Sequence, residues 1–318
     1  MKTITAREHE LIISVMGEGL TALAEAVIEK DLLITEVLRT VVAVDSDGIQ
    51  LVFCGGTCLS KAHGLIERMS EDIDFKLVLP QGLSRSARSR LLSQFKKRLA
   101  AALMEAGFAV PADEIIAQDE NSYVSLNLHY ESRFAPVASL RSEIKLELNA
   151  RPPVLPTAPL PIASMLDVLI HAPRTDLHVE CISVEETLAE KVLSFLRRTA
   201  EARAGRNRAD YDDRLVRHLY DVRAIARGRE ELMLPHEHFA VMVTGDAVQY
   251  RNQYPEFEQD PVGQMRVVLD ALHHEADAFE RDYLRFVDEL VFGEPVTFAE
   301  ARAVFIELAE SLVGRLRT

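Results

Sequence analysis

Two adjacent glycines, Gly55 and Gly56, separate a short apolar run from a segment with helical periodicity. The run is "IQLVFC", residues 49–54, and in the following "TCLSKAHGLIER" one side carries Leu59, Ala62, His63 and Ile66. This pattern predicts a strand, a tight turn and a helix. A helix that begins at a glycine turn presents bare backbone N–H groups and the positive end of its dipole at one point. That point suits a phosphate group.

The two common glycine-rich phosphate motifs do not account for this turn. The segment contains neither G-x-x-x-x-G-K-[ST] nor G-x-G-x-x-G, which excludes a Walker loop and a Rossmann fingerprint. The remaining signal is the Asp-x-Asp that opens the alternating segment "DIDFKLVL". Because side chains alternate along a strand, Asp72 and Asp74 point to the same side and can bind one cation. Carboxylates and phosphate oxygens are the ligands that Mg²⁺ prefers, so the spacing predicts a magnesium and phosphate site.

A third acidic residue is expected because two Mg²⁺ ions carry more charge than two carboxylates neutralise. Glu147 lies in the alternating segment "EIKLELNA", with Lys145 and Glu143 on its own side and Ile144, Leu146 and Leu148 on the other. An adjacent strand would bring Glu147 opposite the Asp pair. These signals occur in a fixed order: the Gly-Gly turn, a helix, the Asp-x-Asp pair and an acid in a later strand. Their combination favours one functional site over separate surface acids.

The whole pattern predicts an α+β protein. Residues 6–39 favour two helices broken near Gly17 to Gly19, a basic helix covers about 84–106, and "SYVSLNLHY" joins the other alternating segments in a small mixed β-sheet. The segment 151–161, "RPPVLPTAPLP", carries five prolines and cannot continue a central strand or a helix. We therefore predict a core with an N-terminal helical cap in residues 1–160 and a mainly helical domain in residues 161–318.

Two segments of the second half have clear helical signals. "SVEETLAEKVLSFLRR" begins with the capping-box pair Ser183 and Glu186, and its apolar stripe is Leu188, Val192 and Phe195. "RLVRHLYDVRAIARG" predicts a second amphipathic helix that ends at Gly228.

Several functional classes are disfavoured by composition. The N-terminus has no signal-peptide pattern, and no segment reaches the roughly 18 apolar residues of a membrane span, which predicts a cytoplasmic protein. The three cysteines, Cys54, Cys58 and Cys181, are too few for a disulfide framework and are expected to be buried thiols. The histidines at 236, 238, 273 and 274 lack metal-site spacing and are expected at the surface.

The formal net charge of −14 argues against broad binding to nucleic acid, but the charge is unevenly distributed. Residues 255–318 hold 14 acids and 6 bases. Residues 81–104 contain no acid and six bases: Arg85, Arg88, Arg90, Lys96, Lys97 and Arg98. A second basic group of seven arginines lies between Arg197 and Arg217. Either group could follow a nucleic-acid backbone or form an ordinary solvated surface.

The stretch "FCGGTCLSKAHGLIERMSEDIDFKL" resembles the first motif of the AbiEii/AbiGii nucleotidyltransferase-like toxins, a branch of the DNA polymerase β-like nucleotidyltransferases. Three later stretches fit the family in order: "EIKLELNAR", "SVEETLAEKVLSFLRR" and "RHLYDVRAI". The resemblance covers roughly residues 50–230. It implies a small mixed-sheet nucleotidyltransferase core.

The resemblance also implies roles for individual residues. Gly55, Gly56 and Thr57 would hold the triphosphate, Asp72 and Asp74 would bind metal, and Glu147 would be the third acid. Lys191 would neutralise phosphate charge, and Asp221 would support the site by fixing Lys191 or a substrate hydroxyl. From their positions beside these motifs, Lys61, Arg68 and Ser70 are further candidates to contact the nucleotide, although Arg68 could equally be a structural ion-pair partner.

The function implied is that of the toxin of a toxin–antitoxin pair, whose antitoxin is encoded nearby. Such an enzyme would use Mg²⁺ to transfer a nucleotide from an NTP to an RNA, with the 3′ end of tRNA as the favoured acceptor, and would block translation. DNA and membranes are not expected as partners. Two alternatives remain open: nucleotidylation of a protein hydroxyl, and a catalytically idle nucleotide- or RNA-binding module.

Overall fold

The structure is a computed structural model that describes residues 1–137, 140–172, 176–206, 213–227, 236–275 and 277–316. It divides into two compact units, Met1–Ile182 and Ser183–Thr318. No helix among the described residues is both long enough and apolar enough to cross a membrane. Cys54, Cys58 and Cys181 are free and buried, as predicted.

The first unit contains a mixed sheet and five helices within the described residues. In chain order its elements are α1 (Ala6–Gly17), α2 (Glu25–Ala43), β1 (Gln50–Cys54), α3 (Gly55–Lys61), β2 (Asp72–Val78), α4 (Arg85–Glu105), β3 (Ile116–Gln118), β4 (Tyr123–His129), β5 (Glu143–Asn149), β6 (Ala158–Pro161), α5 (Met165–Leu169) and β7 (His178–Cys181). The seven strands are ordered β3-β4-β5-β2-β1-β7-β6. Strands β2 and β5 are parallel neighbours, and β1 and β4 flank them in antiparallel orientation.

The central strands have one apolar and one polar face. Ile73 of β2 is in register with Leu146 of β5, and both are fully buried. The intervening residues of both strands carry the acids discussed below, on the opposite face. Burial of the apolar face therefore determines which side the acids occupy, because a shift of one residue would move every side chain to the wrong face.

The second unit is helical in the residues that the structure describes. Its helices are α6 (Val184–Arg203), α7 (Arg217–Ala226), α8 (His236–Tyr250), α9 (Pro255–Gln259), α10 (Pro261–His274), α11 (Asp277–Leu290) and α12 (Phe298–Val313). The Ser183 side chain caps α6 by accepting from the Glu186 N–H at 3.1 Å, and the predicted stripe of Leu188, Val192 and Phe195 is fully buried. The expected stop at Gly228 lies outside the described residues.

The predicted α+β class is confirmed, including the break between the N-terminal helices α1 and α2. The compact units divide at residues 182 and 183, later than the predicted division at 160 and 161. Part of the proline-rich segment forms β6, which pairs with β7 alone at the edge of the sheet. An edge strand tolerates prolines because the missing N–H groups can face outward. These two strands therefore keep residues up to Ile182 in the first unit.

Candidate active site

The turn between β1 and α3 brings two glycines against polar side chains. Gly55 has φ +77°, in the left-handed region, and any β-carbon there would overlap the Asp74 carboxylate. A β-carbon at Gly56 would lie 2.7 Å from Ser70 Oγ and 2.8 Å from Arg68 Nη2. Gly55 therefore requires glycine, since both its conformation and the Asp74 carboxylate exclude a larger residue, whereas a larger residue at Gly56 would displace the ends of the Ser70 and Arg68 side chains.

The start of α3 has no side-chain cap from its N-cap residue, Cys54. The first N–H groups of a helix have no partner within the helix itself. The N–H groups that begin at Gly55 are thus positioned next to Asp74, where the sequence predicted a phosphate site.

Thr57 ties the turn to β2, and Arg68 is bound within the segment before that strand. Thr57 is buried; its hydroxyl donates to the carbonyl oxygen of Asp72 and lies 3.0 Å from Ser70 Oγ. Arg68 is also buried and donates from Nη1 to the Met69 carbonyl at 2.9 Å. The Thr57 side chain therefore holds the Asp-bearing strand in place, which is a different use from the triphosphate contact expected of it.

The three predicted acids lie on one polar face of adjacent strands. In the parallel pairing of β2 with β5, Asp72 is opposite Lys145 and Asp74 is opposite Glu147. Registered residues of neighbouring strands project from the same face. All three carboxylates are half-buried. The structure thus brings Glu147 to the same face as Asp72 and Asp74, from which it is widely separated along the chain.

Glu147 is held by two neighbours on the same face. Its Oε1 lies 2.9 Å from the ammonium of Lys145 and also accepts a hydrogen bond from the Tyr123 hydroxyl of β4. Tyr123 was not predicted from the sequence, although its position in an alternating strand was a usable signal. These two donors orient the third carboxylate.

Asp72 has a cationic partner, Arg141, that was not predicted from the sequence. Arg141 Nη1 lies 2.6 Å from Asp72 Oδ1. Burial raises the pKa of the Asp72 carboxyl; the Arg141 charge opposes this shift, and the charges of Glu71 and Glu147 add to it. No local pattern marks Arg141, because it precedes β5 and meets Asp72 only when the two strands pair.

No group of three or more His, Cys, Asp or Glu side chains in the described part of the chain is arranged to hold a metal ion. In this arrangement Arg141 already binds an oxygen of Asp72, and Lys145 already binds an oxygen of Glu147. A cation on this face would compete with both side chains. The donor set itself is all carboxylate, which is the chemistry that Mg²⁺ prefers.

Lys191 and Asp221 form a buried ion pair in the second unit. Lys191 Nζ of α6 lies 2.5 Å from Asp221 Oδ2 of α7, with the two side chains 8% and 0% exposed. The structure therefore shows a direct contact between Lys191 and Asp221; the roles of both residues in a nucleotide site stay predictions.

Lys61 has a structural position instead of the expected nucleotide contact. Its buried ammonium lies 2.7 Å from Asp31 Oδ1 and donates to Thr35 Oγ1 at 2.9 Å. Both partners belong to α2. An ammonium whose donors are used inside the core is not available to a nucleotide, so this residue is removed from the candidate site.

Helix α4 lines a polar groove of about 990 Å³. Every lining residue is polar or charged: Ser84, Arg85, Ser86, Ser89, Arg90, Ser93, Gln94, Lys97, Glu120 and Asn121. Arg85 pairs with Glu120, whereas the exposed Arg90 and Lys97 form no ion pair with any described residue. Of the other predicted bases, Lys96 donates to Asn121, Arg88 to the Ala150 carbonyl, and Arg98 pairs with Asp47.

Three of the seven arginines in the second basic group form ion pairs with acids of the second unit. Arg197 is buried, lies 2.7 Å from Asp246 Oδ2 and stacks over the Tyr250 ring. Arg203 pairs with Glu275, and Arg206 pairs with Glu256. Arg208 lies outside the described residues. Because their charges are neutralised within the unit, Arg197, Arg203 and Arg206 do not form the basic surface that was considered for them.

The mixed sheet thus carries three acids on one face beside a glycine turn. The family model described as "Nucleotidyl transferase AbiEii toxin, Type IV TA system" matches residues 36–304. The chain therefore belongs to this family of nucleotidyltransferase toxins of toxin–antitoxin systems, and the resemblance drawn from its motifs is confirmed.

Two solved structures are similar to the chain to different degrees, and the first of them supports the fold. MenT4, a nucleotidyltransferase toxin from Mycobacterium tuberculosis H37Rv, is similar with a TM-score of 0.58 and 18% identity, over 99% of this chain and 91% of that chain. An antigenic nucleotidyltransferase-like protein from Paracoccidioides brasiliensis matches with a TM-score of 0.35 and 17% identity, over 73% of this chain and 91% of that one. No curated protein matches the chain significantly.

Proposed function

We propose that the chain transfers a nucleotide from an NTP to the terminal hydroxyl of an RNA, with the 3′ end of tRNA as the favoured acceptor. The observation that carries this proposal is the register that sets Asp74 opposite Glu147, with Asp72 on the same face, beside the Gly55 turn. A face of carboxylates next to the N-terminal end of a helix suits a metal-bound triphosphate.

Asp72 and Asp74 are the proposed metal ligands, and Glu147 is the third acid, released from Lys145 when the site is loaded. Mg²⁺, when bound, would neutralise phosphate charge and align the acceptor hydroxyl with the α-phosphate. The backbone N–H groups at Gly55 and Gly56 would bind phosphate oxygens. Ser70 and Arg68, which lie against Gly56, would hold the turn in position. Thr57 would help through its hydrogen bond to the Asp72 carbonyl.

Lys191 is proposed to bind phosphate, with Asp221 holding its ammonium in position. An ammonium that is 8% exposed and paired with a fully buried carboxylate has little freedom of orientation. Such a lysine gives a fixed positive charge, which is what a triphosphate site requires.

The groove along α4 is the proposed binding surface for the RNA. Its lining combines serine hydroxyls with the unpaired cations Arg90 and Lys97, and both groups bind phosphate oxygens. The strongly acidic net charge does not forbid this, because exposed charges are screened beyond about 8 Å at physiological salt. In the cytoplasm, modification of tRNA ends would block translation until the antitoxin intervened.

The test is transfer of label from each α-³²P-labelled NTP, with Mg²⁺, in the presence of total RNA and of RNA-free lysate protein. We expect label on small RNA, and none on tRNA whose 3′ diol has been cleaved by periodate. A variant with Asp72→Asn and Asp74→Asn is the inactive control. Label on protein and never on RNA would instead establish protein nucleotidylation, and nucleotide binding without any transfer would establish an idle binding module.

A further inference from the structure

The main chain of Arg141 is held by a buried ion pair. Lys30 of α2 lies 2.6 Å from Glu71, and the two side chains are 0% and 1% exposed. Glu71 Oε2 accepts the Arg141 N–H at 2.9 Å, and Lys30 Nζ donates to the Arg141 carbonyl at 2.8 Å. Burial lowers the pKa of Lys30, while its proximity to Glu71 counteracts this shift. The pair therefore fixes the backbone of Arg141 from both sides.

The clamp formed by Lys30 and Glu71 holds only the backbone of Arg141, and the Arg141 side chain makes a separate contact. Its guanidinium donates to Asp72 through Nη1, and the side chain is 30% exposed. Within the part of the chain that the structure describes, Nε and Nη2 donate to no acceptor. An arginine carries five N–H donors, so most of its donor capacity on the acidic face is unused.

From this arrangement we propose that Arg141 binds the triphosphate, a role that rests on the function proposed above. In the nucleotide-free protein it neutralises Asp72. A cation at Asp72 Oδ1 would compete with the guanidinium for that oxygen, and like charge would drive the guanidinium off. Because Lys30 and Glu71 hold the backbone of Arg141, the displaced guanidinium stays close to the acidic face. The phosphates that accompany the cation would then be its hydrogen-bond acceptors. The planar fork of donors matches a phosphate group.

A purely structural role for the Arg141 side chain is disfavoured by the same geometry. The clamp uses only the backbone N–H and carbonyl of Arg141. Replacing the side chain therefore leaves the clamp in place. This separates the contribution of the guanidinium from the stability of the loop.

The chain offers a matched control in Arg133, which lies in the same connection between β4 and β5. Its backbone N–H is also held by a glutamate of α2, Glu29, at 2.8 Å. Its guanidinium, however, donates to Thr3 Oγ1 at 3.3 Å and does not contact Asp72. Arg133→Gln thus removes an arginine of similar backbone attachment without altering the acidic face.

The experiment measures two affinities, for Mn²⁺ alone by electron paramagnetic resonance and for an α,β-methylene NTP with Mg²⁺ by calorimetry. Arg141→Gln should bind Mn²⁺ severalfold more tightly, because a competing cation is gone. The same variant should bind the NTP analogue at least about tenfold more weakly, since a charge-assisted contact is lost. The matching nucleoside should bind both proteins equally. Arg141→Lys should recover only part of the loss, and Arg133→Gln should change neither affinity.

The two proposals fail separately. If the wild-type protein binds the analogue and Arg141→Gln binds it equally well, the role of Arg141 is overturned while the proposed function stands. A variant that weakens nucleoside and NTP analogue alike would show a general effect on the fold and would also overturn it. If the wild-type protein binds no NTP analogue at all, both proposals are overturned.

Discussion

Asp74 of β2 and Glu147 of β5 are registered partners in a parallel strand pair, on the face opposite the buried Ile73 and Leu146. Two half-buried carboxylates that face each other repel unless a cation neutralises them. The pairing therefore places negative charge where the proposed reaction requires it, and the Lys145 ammonium offsets part of that charge at Glu147. The predictions below test this arrangement and its surroundings.

Asp74→Asn should lower nucleotidyl transfer at least about a hundredfold, because it removes a proposed metal ligand that contributes several kcal/mol to the transition state. The melting temperature should stay equal or rise, since repulsion with Glu147 is relieved. Asp113→Asn, which neutralises an exposed carboxylate of the same unit, is the control. Transfer at the wild-type rate in Asp74→Asn would reject the metal-ligand role.

Gly55→Ala should abolish transfer and destabilise the first unit. The added methyl group overlaps the Asp74 carboxylate, and φ +77° adds strain. Gly64→Ala is the matched control: it has φ +63° with no atom within 4 Å, so it should cost only about 1–2 kcal/mol of backbone strain. Thermal unfolding and transfer assays on both variants separate the steric overlap with Asp74 from the backbone strain that both positions share. Equal effects of the two substitutions would contradict the close approach of Gly55 to Asp74.

Tyr123→Phe should lower the rate of transfer about 10- to 100-fold, as is typical when a group that orients a metal ligand is removed. The affinity for NTP should be unchanged, because the Tyr123 hydroxyl acts on Glu147, which is proposed to serve the reaction and not to hold the phosphates. Single-turnover kinetics and equilibrium binding measure the two quantities. Tyr130→Phe, just after β4, is the control and should behave as wild type. A selective loss of NTP affinity would argue that Tyr123 binds substrate directly.

Lys191→Met should lower the free energy of unfolding by about 3–5 kcal/mol, because it removes the ammonium that pairs with the fully buried Asp221 carboxylate. Combining it with Asp221→Leu should recover most of that stability. Transfer should be lost in both variants if Lys191 binds phosphate. Urea unfolding and transfer assays on the single and double variants provide the test. A stable double variant with normal transfer would assign Lys191 a structural role alone.

Arg90→Ala combined with Lys97→Ala should weaken RNA binding and flatten its dependence on salt. Each lost phosphate contact should reduce the slope of log K against log salt by about 0.7 for a single strand. Filter binding of tRNA at several salt concentrations measures this slope. Arg7→Ala with Arg39→Ala removes the same charge elsewhere in the first unit and should leave the slope unchanged. An unaltered slope in the Arg90 and Lys97 variant would exclude the α4 groove as the RNA surface.

Much of this site was determined by local sequence. Alternation along "IDFKLVL" and "EIKLELNA" determines that Asp72, Asp74 and Glu147 lie on polar faces, because the side-chain period of a strand is two. The left-handed turn at Gly55 and the capped start of α6 are likewise properties of a few consecutive residues. These features needed no knowledge of the neighbouring elements.

Other features were decided only by tertiary structure. Lys61, Arg85 and Arg197 look like available cations in sequence, yet Asp31, Glu120 and Asp246 neutralise them. Arg141 has no local signal, but strand pairing and the Lys30 clamp bring it to Asp72. Periodicity determines which face a side chain occupies, whereas its ion-pair partner comes from elements distant in the chain. The free energy of a buried charge depends on that partner, so only the assembled fold decides which cations remain for a substrate.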